Sequence, residues 1–470
     1  MAQTSSTAHN APAVNIAEQL ANLAVGIKAS ELPRPVWDKS VHHIIDAIGI
    51  GFASHHFPFA APGLAGIEAA AGKGTASVLG CSLQLPARDA AMANAYLMHG
   101  LDFDDSHPGS IVHPTVACLP TALALAETRN QTWGELIAAY VAGMETCIRL
   151  GLAVKGGFHH TGFHATGLVS HFSAAVVAGK LMGLTAPQIV GAQGIAASTA
   201  ASVQVFLETG AWTKRLHPGL GASAGITAAH LVQNGFAAPT RPYEGRFGFF
   251  ETHMQAHIGD VNYDCIVEGL GSDWTLLDTA IKPYPVCHFI HGAAEAALQL
   301  HGEVKDVSRI ARIVCELPAA TLPIVAEPHD AKIVPRSDYE AKFSAQFVVA
   351  ACLLKGRFGL AELEDDALKD EQTLALARRV SCVEERDSNF PQHFSGAVTV
   401  ELDSGETLTR RIPVNLGSGE RALTRDDIVT KFHGTAGIVM SPERATKVVN
   451  ALLDATPETS VRKLVDMLRA

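Results

Sequence analysis

Leu181-Met-Gly-Leu-Thr-Ala-Pro-Gln-Ile-Val-Gly-Ala-Gln-Gly-Ile-Ala-Ala-Ser-Thr-Ala-Ala-Ser-Val-Gln-Val-Phe-Leu207 carries no formal charge and is longer than a membrane span requires. Its composition argues against a span: Gly, Ala, Ser, Thr and Gln recur throughout, and Pro187 stands near its start. Thr185 and Gln188 form a capping box, each side chain answering the other's backbone N–H, so a helix begins inside the run. The stretch reads as a close-packed, buried helix of a soluble bundle.

The same character extends outward. From about residue 14 to 270, apolar positions recur at helical spacing, Ala and Gly permit close packing, and caps appear at intervals. Thr132 with Glu135 opens one helix, a second pattern runs from Ala90 to His99, and Gly183 and Gly235 end two others. After Trp274 the prolines at 283 and 285 break the period. Ile310 to Leu317 reads as a strand, Lys342 to Leu354 as a helix, and Ala397–Leu402 with Thr407–Ile412 as a hairpin turning at Asp403-Ser-Gly405. Thr424 with Asp427, and Ser441 before Pro442, start helices again. No internal repeat is present. The fold class is therefore mainly α: a large all-helical domain over 12–270 plus 415–470, with a smaller α+β lid domain, 271–414, inserted before the C-terminal helices. Residues 1–11 read as a flexible tail.

Length, charge and cysteines narrow the function classes. A chain of 470 residues with 47% hydrophobic content supports two domains. Its net charge of −11, with no Lys/Arg run to follow a phosphate backbone, excludes nucleic acid as the natural partner. The eight cysteines are scattered, without a CxxC pair or zinc-like spacing. Reduced thiols fit a cytoplasmic protein, and the N-terminus lacks the basic and apolar regions of a secretory signal.

Against 18% charged residues overall, His99 to His113 packs three Asp and three His into one tract, His99-Gly-Leu-Asp-Phe-Asp-Asp-Ser-His-Pro-Gly-Ser-Ile-Val-His113. Asp102, Asp104 and Asp105 sit where a helix enters a loop, and three close carboxylates need cations, donors or a retained proton. A solvated helix end is the bland alternative, and a divalent-cation site a further one. His159, His160 and His164 lie among Gly156, Gly157, Gly162 and Gly167, which argue against a continuous helix that would bring His160 and His164 onto one face. Lys214 and Arg215 are the only cations between Lys180 and Arg241. A Lys held in an apolar bundle is costly unless it meets an anion, either a ligand or an internal carboxylate such as Asp102. Finally, Lys282-Pro-Tyr-Pro-Val-Cys-His288 forms a proline-stiffened strap. Cys287 is a weak candidate for a nucleophile, since no sequence feature beside it marks an activated thiol.

Taken in order, Asp102-Phe-Asp-Asp-Ser106 with His113, Gly162-Phe-His-Ala-Thr-Gly167, Thr213-Lys-Arg-Leu-His-Pro-Gly219, Glu244-Gly-Arg-Phe-Gly248 and the Lys282 strap resemble the MmgE/PrpD family over nearly the whole chain. That resemblance implies a homodimer, a helical domain with a lid-like α+β domain, and a pocket for small polycarboxylates that needs no metal or organic cofactor. Members include 2-methylcitrate dehydratase, cis-aconitate decarboxylase and iminodisuccinate epimerase. Carried over by motif, the site residues are Asp102, Ser106, His113, His164, Lys214 and Lys282. His113, His164, Asp102 and Lys214 are read as catalytic, and Ser106, Lys282, Cys287, His288 and Arg215 as substrate-binding. The family's decarboxylases carry a His five residues after the strap Lys, where this chain has Cys287 beside His288. The animal decarboxylase carries a Tyr in a later stretch that corresponds here to Lys332-Ile-Val-Pro-Arg336, which has none. The expectation is a cofactor-independent lyase that dehydrates a 2-methylcitrate-like acid by abstracting a proton beside a carboxylate. Decarboxylation, epimerisation, non-catalytic carboxylate binding and metal-dependent hydrolysis stand as alternatives.

Overall fold

The computed structural model describes residues 14–470; the tail expected over residues 1–11 lies outside them. The described residues divide into a helical unit (residues 14–100, 109–277 and 432–470) and a second unit (101–108 and 278–431).

The helical unit is built as its caps foretell. Glu135 and Thr132 exchange backbone–side-chain bonds of 2.8 and 3.3 Å at the start of Trp133–Leu152. Gln188 accepts from the Thr185 N–H at 2.9 Å at the start of Ala186–Ala197. No helix among the described residues is long and apolar enough to cross a membrane. Ala165–Leu181 ends at Gly183, whose φ of +70° lets the chain reverse. The expected Ala90–His99 pattern is the helix Ala87–Met98 with His99 as its C-cap.

Close approach between Ala165–Leu181 and Thr213–Gln233 depends on glycine. A Cβ on Gly221 would sit 2.5 Å from the Ser170 Cβ, and one on Gly225 would sit 2.5 Å from the Ala175 nitrogen. The unit also holds one small antiparallel pair, β1 (Ala76–Ser77) and β2 (Gln84–Leu85), that the sequence did not announce.

The boundary after the helices falls at 277, not 270, and hydrogen bonds explain it. Buried Arg149 pairs with Glu145 at 2.9 Å and donates to the carbonyls of Glu268 and Asp273 at 2.6 and 2.7 Å. Glu145 in turn accepts from Thr275 Oγ1 and the Leu276 N–H at 2.9 and 3.0 Å. Residues 265–276 are thereby bound to the helices.

The second unit centres on a four-stranded sheet of order β4-β3-β5-β6. These strands are β3 (Ile310–Leu317), β4 (Val380–Glu384), β5 (Gly396–Leu402) and β6 (Thr407–Ile412). β3 runs parallel to β4 and antiparallel to β5, and the β5–β6 hairpin turns with Gly405 at φ +84°. The helices His291–His301 and Ala345–Lys355 complete its core. The helix expected from Lys342 is broken there: Lys342 ends the short Asp338–Lys342 turn, and Ser344 caps a fresh start by accepting from the Phe347 N–H at 3.0 Å.

Two assignments differ from the sequence reading. Residues 101–108 join this unit, because Ser106 and Ala280 exchange backbone bonds of 2.9 and 2.8 Å. Residues 415–431 also stay in it. The Gly417 carbonyl accepts from the Ile281 N–H at 3.2 Å, and Arg421 grips Glu295 with bonds of 2.5 and 3.0 Å.

Candidate functional site

In the helical unit the site residues stand at helix starts. His113 is the N-cap of Pro114–Thr128 and His164 the N-cap of Ala165–Leu181, while Lys214 and His217 lie in the opening turns of Thr213–Gln233. The chain folds this way because Pro114 is suited to a first helical position and because the His113 N–H is taken by Thr166 Oγ1 at 3.0 Å and the His164 N–H by the Ser202 carbonyl at 2.8 Å.

Four imidazoles result as one cluster. Ring centroids of His99 and His113 are 4.9 Å apart, those of His99 and His164 5.7 Å, and those of His164 and His217 5.3 Å. His164 Nδ1 and His217 Nδ1 stand 3.1 Å apart. His164 and His217 are 4% and 3% exposed. Burial, then Lys214, then the neighbouring imidazoles hold His164 well below the usual histidine range. Burial, His99, Lys214 and His171 push His217 down to about 4. Helix starts carry partial positive charge and unsatisfied N–H groups, so three of them beside a buried ammonium disfavour imidazolium and favour an anion. His159, held at about 4 chiefly by burial, and exposed His160 lie on the separate turn Gly157–His160, so His160 and His164 do not share a helix.

Arg215 makes two contacts within the helical unit. Its Nε donates to the Gly100 carbonyl at 2.6 Å and its guanidinium lies 4.3 Å from the centre of the Phe59 ring. This fastens the end of Ala87–Met98, and with it His99. Glu244 of the fourth motif likewise accepts from the Ile16 N–H at 2.9 Å.

In the second unit, two ammonium groups pin the acidic loop. Lys282 Nζ donates to the Asp102 carbonyl at 2.6 Å and lies 3.5 Å from its carboxylate, and Lys431 Nζ donates to the Phe103 carbonyl at 3.0 Å. Lys282 is thus one cation beside Asp102. Asp102 has a φ of +53°, a region that Asp tolerates better than most residues. Asp104, Asp105 and Ser106 are buried beside it.

On the strap, the Cys287 N–H donates to the Lys342 carbonyl at 2.8 Å. His288 is drawn into the unit's own packing: its Nε2 is 3.0 Å from Asn415 Nδ2, and its ring lies 4.4 Å from that of Phe394. His291 is pushed down to about 3, first by burial and then by Lys282.

The sequence reading quoted His99 and His217 within its tracts but assigned neither a role in the site. The signal for His217 was present, since Lys214 and His217 are three apart on one helix face.

A sequence model of the MmgE/PrpD N-terminal domain matches residues 18–259, and one of the MmgE/PrpD C-terminal domain matches residues 284–455. The cis-aconitate decarboxylase-like protein oryM of Aspergillus oryzae is 25% identical, over 97% of this chain and 98% of its own length. Cis-aconitate decarboxylase of Homo sapiens is 27% identical, over 94% and 92%. The 2-methylcitrate dehydratase of Cupriavidus necator is 26% identical, over 89% of each.

Proposed function

The chain belongs to the MmgE/PrpD family, and on that premise we propose that it is a lyase of small tricarboxylic acids that removes water from a 2-methylcitrate-like substrate. The observation that carries this is the buried, uncharged His164 at a helix start, within a cluster of imidazoles and beside Lys214. Both chemistries named for the relatives, dehydration and decarboxylation, develop negative charge on a carbon next to a carboxylate. A site for them needs a neutral base, and fixed positive charge to hold carboxylates and the developing charge.

In this reading Lys214 and the helix starts hold substrate carboxylates, and Lys282 and Ser106 are further binding groups. His164 takes the proton from carbon, the C–H electron pair forms the alkene, and the hydroxyl leaves. His113 serves as a donor to the departing oxygen, and Asp102 acts with Lys282 to set the loop. A base of this kind contributes roughly 100- to 10,000-fold. Dehydration is preferred over decarboxylation on the strap. The decarboxylase pattern asks for a His where Cys287 stands, and His288 is already bonded to Asn415.

Decarboxylation of a cis-aconitate-like acid is the second reading, favoured by decarboxylase relatives matched over 92–98% of their length.

Proton and carbon NMR of EDTA-treated protein in deuterated buffer, with 2-methylcitrate, citrate, cis-aconitate and iminodisuccinate, separates these. A new alkene signal from a hydroxy acid supports the dehydratase, and loss of a carboxylate from cis-aconitate replaces it with the decarboxylase. Deuterium exchange without net reaction indicates an epimerase. Binding without turnover of any acid, or turnover that returns only with added metal, overturns the proposal. His164→Ala should abolish turnover in a protein that still folds.

A further inference from the structure

His164 and His217 present the same ring nitrogen to each other, Nδ1 to Nδ1 at 3.1 Å. Two neutral imidazoles in this arrangement hold a single hydrogen between the facing atoms, since two hydrogens would collide and none would set two lone pairs in opposition. One ring is therefore the Nδ1–H tautomer with a bare Nε2, and the other carries its hydrogen on Nε2.

We propose that His217 is a positioning residue that fixes His164 as the Nδ1–H tautomer, so that the lone pair a base requires is on His164 Nε2. The assignment rests on the reading of His164 as the proton-transfer residue.

The direction of the bond follows from the nitrogen that the pairing leaves. With Nδ1 of His164 turned to His217, Nε2 is the His164 nitrogen left for a substrate. A base must present that nitrogen bare, so the hydrogen between the rings is carried by His164 and accepted by His217. His171 is occupied elsewhere, with its Nδ1 2.8 Å from the Gly167 carbonyl. The two rings are also held by backbone: the Ser202 carbonyl fixes the His164 N–H, and His217 sits in a helix whose Gly221 and Gly225 lie against Ala165–Leu181.

The pair also defines where the proton goes. His164 Nε2 accepts it from the substrate carbon while the C–H electrons form the C=C bond and the C–O bond breaks. The resulting positive charge is spread over both rings through the Nδ1–H···Nδ1 bond. The proton is then delivered to the leaving hydroxyl, which His113 holds by a hydrogen bond and which departs as water, and the neutral pair is restored. Dispersal of this kind corresponds to the orienting group behind the catalytic His of serine hydrolases, here with a neutral partner.

Two replacements test the assignment. His217→Gln keeps an oxygen able to accept from His164 Nδ1–H, and His217→Leu does not. With the acid that the wild type turns over, His217→Leu should lower kcat roughly 100- to 10,000-fold with KM changed little, and His217→Gln should restore a large part of it. Folded variants with equal kcat overturn the proposal. Independently of turnover, 15N-histidine NMR of the wild type, with His164→Gln used to assign the signal, should show His164 protonated on Nδ1. In His217→Leu the hydrogen should redistribute between Nδ1 and Nε2. Finding His164 as the Nε2–H tautomer in the wild type overturns the proposal even if dehydration is confirmed. Finding the Nδ1–H tautomer in a protein inactive on every acid upholds the pairing and removes the lyase reading.

Discussion

Lys282 Nζ lies 2.6 Å from the Asp102 carbonyl oxygen and 3.5 Å from its carboxylate, with Lys282 only 1% exposed. One ammonium thus neutralises a buried acid and clamps a residue at φ +53°. Lys282→Met keeps the length of the side chain and deletes the charge. It should cost roughly 3 kcal/mol of stability, because the carboxylate stays in a desolvated place without that cation. Urea unfolding of the variant checks this; a midpoint unchanged from wild type would show that the pair is energetically idle.

Gly221 should be intolerant of growth. Its Cβ would stand 2.5 Å from the Ser170 Cβ, between the helices that carry His164 and His217. Gly221→Ala should destabilise by about 1–3 kcal/mol through overpacking. It should also lower kcat, since the two rings are set by the distance between those helices. A variant as stable and as active as wild type would mean that the helices have room to spare.

Acid should loosen the protein before its carboxylates titrate. His164, His217 and His291 are all depressed in the fold, to well below the usual range, about 4 and about 3. The unfolded chain takes protons near 6.5 that the folded chain refuses, so their contribution is complete above that pH and lost progressively as pH falls below it. At pH 5.5 each ring that stays neutral costs on the order of 1 kcal/mol, and the three together a few kcal/mol. Urea midpoints measured from pH 7.5 to 5.5 should fall steadily. A flat profile over that window would contradict buried neutral rings.

Local chemistry was legible where a few adjacent residues decide the outcome. Thr132 with Glu135, Thr185 with Gln188, and Thr424 with Asp427 each state a helix start, and the alternation about Ser404 and Gly405 states a hairpin. What depends on distant partners was not. β4 has two exposed residues at its end and no alternation, and it is a strand because β3 pairs with it in parallel. Residues 101–108 belong with the second unit through the bridge from Ser106 to Ala280, far away in sequence. The same limit applies to the site. The tracts holding His113, His164, Lys214 and Lys282 stand out by composition. That Arg215 donates to the Gly100 carbonyl, and that His288 lies against Asn415, comes from packing that no local pattern announces.

Binding of a tricarboxylate should itself draw protons into the protein. His164 and His217 are depressed by burial and by positive neighbours, Lys214 among them. Three carboxylates placed at those helix starts supply the opposite charge and raise both rings toward their ordinary value. A group whose pKa rises takes up protons at any pH between its old and new values. For His217, starting at about 4, that window opens above pH 4 and closes near 6.5. Propane-1,2,3-tricarboxylate, which has no hydroxyl to eliminate, isolates binding from turnover. Calorimetric titration at pH 5.5 in two buffers of different ionisation enthalpy should report net uptake, and the same titration at pH 8 should report almost none. Uptake lost in His217→Leu would assign part of it to that ring. Proton release at pH 5.5, or binding heats independent of buffer, would place the anion somewhere other than beside these imidazoles.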